Sequence, residues 1–135
     1  MTTLILDSSV IIKWVKFQNE ESVETALSYY ERMKKNEIKV IVPDLILYEI
    51  SNFASRDLQE NRSQWEEMIN NLFTPPLEII LPDSYLIKSI LEITSIHKVS
   101  AYDASYLALA KRYNSKLVTA DKKLLQTAPE LTISL

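Results

Sequence analysis

Five short apolar runs alternate with stretches of helical periodicity, and this alternation leaves the chain few folds. Residues 4–6, 39–42, 77–81, 117–119 and 131–135 read as strands. The second is rich in β-branched residues and is closed by Pro43; the third is closed by Pro82 and Asp83. Between the runs, Val23, Ala26, Leu27, Tyr30 and Met33 fall on one helical face. Leu45, Tyr48, Glu49, Asn52 and Phe53 mark a second helix, which Asp44 is placed to cap. Trp65, Met68, Ile69 and Leu72 form a third stripe, broken by "TPP" at 74–76. Ile87, Ile90, Leu91 and Thr94 mark a fourth, and Ala104, Leu107, Ala108 and Lys111 a fifth. Strands separated by helices argue for a parallel sheet covered on both faces. The expectation is a single α/β domain over residues 1–135: three α/β/α layers around a mainly parallel sheet of four to five strands.

What the chain lacks narrows the chemistry. It has no glycine, which excludes a Walker loop and a glycine-rich dinucleotide loop, since both need close backbone approach to phosphate. A turn that wants positive φ must use another residue, and Asn114 in "RYNSK" is the expected substitute. Cysteine is absent, so disulfides and thiolate metal sites are excluded. A single histidine, His97, argues against zinc and is expected at a helix end or loop. No apolar run approaches ~18 residues, so no transmembrane helix is expected. No basic region precedes an apolar stretch at the N-terminus, so no signal peptide is expected, and a cytoplasmic location fits. The net charge of −3 does not advertise nucleic-acid binding. The basic pairs Lys34–Lys35, Lys111–Arg112 and Lys122–Lys123 read as solvated helix faces. Trp14, Trp65 and the tyrosines read as core or interface residues.

The acids are the informative residues. "LILDSSVII", at 4–12, drives Asp7 to the end of a buried strand. A carboxylate there must cap the next helix or meet something positive. Asp121 also lies just past a strand, Glu49 sits early in the helix after the second strand, and Asp103 opens the helix before the fourth. Each has a plain structural reading as a cap, a turn or a helix-dipole partner. Parallel sheets, however, bind ligands beyond the carboxyl ends of their strands, where strand order reverses. All four acids are expected on that one rim. Four carboxylates brought together repel, and some would take up protons unless a cation joined them. Magnesium or manganese, which prefer oxygen ligands and work with substrate phosphate, resolve that conflict.

"LDSSVIIKW" at 6–14, "PDLILYEISN" at 43–52 and "YDASYLALAKRYNSKLVTAD" at 102–121 together resemble the PIN-domain family, in particular its VapC-type toxin ribonucleases. The likeness runs over nearly the whole chain and is weakest across 56–76. It implies a metal-binding, catalytic set of Asp7, Glu49, Asp103 and Asp121. Ser9, Asn52 and Thr119 match the family's polar substrate-positioning or supporting sites. It further implies a magnesium- or manganese-dependent endoribonuclease, the toxin of a toxin–antitoxin pair, hydrolysing RNA phosphodiesters by metal-activated water. The implied partners are RNA, a VapB-like antitoxin and a second copy of the chain; the Trp65–Leu72 stripe is one surface for the last, with core packing an equal reading. Local backbone bonding remains an equal reading of Ser9 and Thr119, and Asn52 needs no special role. Two alternatives stand beside this one. A haloacid-dehalogenase-like phosphatase also begins with a strand ending in Asp, but Ser9 stands where its second Asp is usual. A non-catalytic interaction module could keep the fold without the chemistry.

Overall fold

The computed structural model describes residues 1–15 and 22–135. Strands β1 (Thr2–Leu6), β2 (Ile38–Pro43), β3 (Leu77–Ile80), β4 (Leu117–Thr119) and β5 (Thr132–Ser134) form one sheet in the order β3-β2-β1-β4-β5. Every pairing is parallel, with Leu4 opposite Val40, Val40 opposite Leu77, Leu6 opposite Val118 and Leu117 opposite Thr132. Central parallel strands are buried on both faces. That is why β1, β2 and β4 read as unbroken apolar runs, and why Ile5, Leu6, Val40, Ile41, Leu117 and Val118 are all fully buried. The fifth apolar run supplies the edge strand, as expected.

The seven α-helices among the described residues are α1 (Ser8–Ile11), α2 (Val23–Lys34), α3 (Leu45–Ser55), α4 (Leu58–Leu72), α5 (Ser84–His97), α6 (Ala101–Arg112) and α7 (Lys122–Thr127). From β1 to β3 the chain steps one way across the sheet; from β3 to β5 it steps back past β1. Right-handed crossovers therefore put the helices before and after β3 on opposite faces, giving three layers. Helix α2 packs on β2, while α6 packs on β1, β2 and β4 and pairs with α5. Residues Ala104 to Ala110 of α6 are all buried, so this helix is the most deeply set in the molecule. Strand order reverses between β1 and β4, and the crevice above their carboxyl ends is the place such a sheet offers a ligand.

Without glycine, the chain takes positive φ at Ser22, Asn36, Lys98 and Asn114. Asn114 does so at 48°, as its place after α6 predicts. Lys98, in the left-handed region at the end of α5, does so at a conformational cost of about 1–2 kcal/mol.

One sequence expectation changes and one open reading is decided. Asp44 occupies the N-cap position of α3, but its side chain makes no capping bond. The Trp65–Leu72 stripe is core, not a docking surface. Trp65, Met68 and Leu72 are buried, and only Ile69 is exposed. Trp65 is held there because its indole N–H donates to the buried Asp57 carboxylate at 2.8 Å, and Asn61 donates to the same oxygen at 2.9 Å. Trp14 behaves likewise, donating to the Ala26 carbonyl at 2.8 Å and packing on Tyr30. His97 closes α5, with Nδ1 2.9 Å from the Thr127 carbonyl oxygen.

Candidate active site

Asp7 follows β1 and caps α1, accepting from the Ser9 amide at 3.0 Å. The Ser9 hydroxyl also donates to it, and the Thr119 hydroxyl bonds it from the end of β4. Each hydroxyl thus touches the Asp7 carboxylate, and only Thr119 also makes a local backbone bond. Ser9 further accepts the Ala120 amide at 3.2 Å, and Thr119 accepts the Asp121 amide at 3.0 Å. These two hydroxyls tie the ends of β1 and β4 together across the crevice. Asp7 is 7% exposed, and burial holds its carboxyl above the ordinary carboxylate range against the pull of its hydrogen bonds.

Asp103 lies in the first turn of α6. Its amide donates to the Ser100 hydroxyl at 3.1 Å, and that hydroxyl bonds the carboxylate in return. Half-buried, it is pushed up first by burial and then by the negative charge of Asp121; Lys123 pulls weakly the other way. Asp121 is exposed and caps α7 by accepting from the Lys123 amide at 2.9 Å and the Leu124 amide at 3.3 Å. Glu49 is half-buried on α3. Asn52, one turn further along α3, is exposed.

The acids thus lie in linked pairs. Asp103 and Asp121 feel each other's charge. Glu49 and Asp7 share a neighbour, Tyr106, whose hydroxyl donates to Glu49 Oε1 at 2.5 Å and which lies in the field of both carboxylates. Burial and those two acids hold the phenol protonated, far above its ordinary range. Sequence reasoning passed over Tyr106 and Ser100. An aromatic on a buried helix reads as core, and only its place one turn after Asp103 marked it. Ser100 did carry a signal, its spacing to Asp103.

Among the described residues, no three of these acids stand assembled around a single point as a ready metal centre. The donor set nevertheless suits a hard divalent ion. It is all oxygen, it includes a buried carboxylate and a half-buried one that resist ionisation, and it lies beside the switch point of the sheet. An ion arriving there would relieve the desolvation and repulsion that raise Asp7 and Asp103.

The family model for the PIN domain matches residues 4–129, and the chain belongs to the PIN-domain family. Ribonuclease VapC3 of Pyrobaculum aerophilum is 29% identical over 95% of this chain and 96% of its own length. In solved structures the fold recurs in FitAcB from Neisseria gonorrhoeae, at 18% identity and a TM-score of 0.70 over 96% of each chain. It also recurs in VapBC2 from Rickettsia felis bound to a promoter DNA fragment, at 15% identity and a TM-score of 0.69 over 98% of each chain. Membership in this family leaves the dehalogenase-like alternative without support.

Proposed function

We propose that the chain is a magnesium- or manganese-dependent endoribonuclease, the toxin of a toxin–antitoxin pair. The observation that carries this reading is the burial of the Asp7 carboxylate beside the switch point of a PIN fold. The ribonuclease name of the 29% identical relative and the toxin–antitoxin context of the similar folds supply the substrate class and the partner.

Asp7, Glu49, Asp103 and Asp121 would hold the metal. A divalent ion held there would supply an activated water for hydrolysis of an RNA phosphodiester, to a 5′-phosphate and a 3′-hydroxyl, and charge stabilisation at the phosphate oxygens. The chain's own residues orient that site. Asp7 is fixed by Ser9 and Thr119, and Asp103 by Ser100. The exposed pair Lys122–Lys123 opens α7 beside Asp121, where it would draw a polyanion toward an otherwise acidic protein. Asn52, exposed on α3, would meet substrate rather than the ion.

An antitoxin would inhibit by laying a peptide across the acidic rim, a basic side chain taking the place of the metal's charge. The second copy of the chain would dock on α5 rather than on the buried Trp65 stripe. There Tyr85, Ile87 and Leu91 are exposed, and a groove of ≈ 370 Å³ is lined by Ile87 and Leu91 on one side and Leu45 and Tyr102 on the other. Sedimentation should show a dimer that Leu91→Lys breaks; a wild-type monomer at high micromolar concentration would remove the dimer from this account.

The test of the function is cleavage of single-stranded RNA by the purified protein. Activity should require magnesium or manganese, vanish with chelator and vanish in Asp7→Asn. Cleavage that survives chelation would overturn the reading.

A further inference from the structure

Tyr106 is 2% exposed, yet it carries a hydroxyl, and a buried hydroxyl is costly unless it is hydrogen-bonded. Its bond to Glu49 Oε1, at 2.5 Å, spans from α6 to α3. The Ser8 hydroxyl of α1 lies within bonding reach of the same phenol. One side chain therefore joins three helices directly beneath the rim. Phenylalanine would fill the same space and leave these polar groups unbonded.

The placement is specific. Tyr106 stands one turn after Asp103 on α6, whose residues from Ala104 to Ala110 are all buried. The rigid helix that presents Asp103 also grips Glu49. Glu49 itself sits half-buried on α3, on a long side chain with several rotamers to lose. The bond takes Oε1, and among the described residues no hydrogen bond is made to Oε2. A neutral donor orients the carboxylate without cancelling its charge, as an arginine or lysine in its place would.

We infer that Tyr106 is a positioning residue: its hydroxyl locks the Glu49 carboxylate in register with Asp7 and Asp103, so that Oε2 is offered to the divalent ion. This rests on the metal-dependent reading given above, and it adds a residue outside the acid set.

Manganese titrated into metal-free protein by calorimetry tests it, on wild type, Tyr106→Phe, Glu49→Ala and the double variant. Tyr106→Phe should fold, and should bind manganese about tenfold more weakly, within the usual range for a group that orients a ligand. In the Glu49→Ala background the same substitution should cost nothing further, because its effect runs through Glu49. Equal affinity for wild type and Tyr106→Phe would overturn the inference while leaving the metal site standing. So would an equal loss in both backgrounds, which a merely structural tyrosine would give. Wild-type protein that binds no manganese would overturn the metal reading, and this inference with it. If Tyr106→Phe does not fold, proton NMR of the wild type decides. The Tyr106 hydroxyl proton should exchange slowly, resonate downfield and persist when magnesium is added. Its disappearance on adding magnesium would show that the ion draws Glu49 off the tyrosine, which contradicts the proposal.

Discussion

Asp83 and Asp103 both stand at the starts of helices, and those helices, α5 and α6, pack against each other as an antiparallel pair. Asp83 accepts the Leu86 amide at 2.7 Å and both its oxygens take the Arg112 guanidinium, at 2.9 and 3.0 Å. That charged partner, whose Nη2 is shared between the two oxygens, and the cap hold its carboxyl below the ordinary range. Asp103 accepts from Ser100 but is pushed above the ordinary range by burial and by Asp121. The same residue type, at nearly the same place on neighbouring helices, is therefore comfortable at one end of the hairpin and strained at the other. The first carboxylate is provided for within the chain. The second, like Asp7 beside the crevice, is held in a setting that disfavours its charge.

Asp103→Asn should open the widest gap between the two ends. RNA cleavage should fall at least about a hundredfold, beyond the ~10–100-fold loss usual for residues that only orient metal ligands, with the fold intact by circular dichroism. Asp83→Asn should cleave as wild type does. A full loss from Asp83→Asn, or none from Asp103→Asn, would erase the contrast.

Magnesium gives the next largest effect. An ion that binds only the folded state stabilises it by about 2.7 kcal/mol at ~100 times its dissociation constant. Thermal melts should show this upward shift in wild type and in Asp83→Asn, and a smaller one in Asp103→Asn.

In metal-free protein the two ends should respond to pH with opposite sign. Asp7 and Asp103 have folded-state values raised above the unfolded ones. Each therefore costs stability as pH climbs from the ordinary carboxylate range through its raised value. Asp83 is lowered, so its contribution is present above the ordinary carboxylate value and is lost as pH falls through the depressed one. Asp103→Asn should flatten the loss on the alkaline side and raise metal-free stability near neutrality by about 1 kcal/mol or less, since half-exposure screens the charge. Asp83→Asn should give the smallest change, a slight fall in melting temperature that high salt removes.

How legible was this in the sequence? The sheet was, because parallel strands buried on both faces must be continuous apolar runs, and β1, β2 and β4 are. The crevice acids were legible as positions for a related reason: strand ends and helix starts can be counted once the strands are known. Their setting was not. Nothing in "YDASY" tells that Asp103 is half-buried against Asp121, or that "PDSYL" holds an aspartate paired with Arg112, since both partners come from distant segments. The Trp65 stripe showed that one helix face is covered, but periodicity does not name what covers it; the Trp65–Asp57 bond and the core do. Tyr106 was hidden for the same reason, its partner Glu49 lying 57 residues away. Asp44 shows the converse: a capping residue can hold its position without making the bond, because its backbone is already helical.

The most direct test of the account is a magnesium titration of single-stranded RNA cleavage by wild-type and Asp103→Asn protein, each first stripped of metal. The account predicts no cleavage by wild type without the ion, saturable cleavage with it, and a variant that stays folded but inactive up to millimolar magnesium. Cleavage by the stripped wild type, or wild-type rates from the variant, would contradict it.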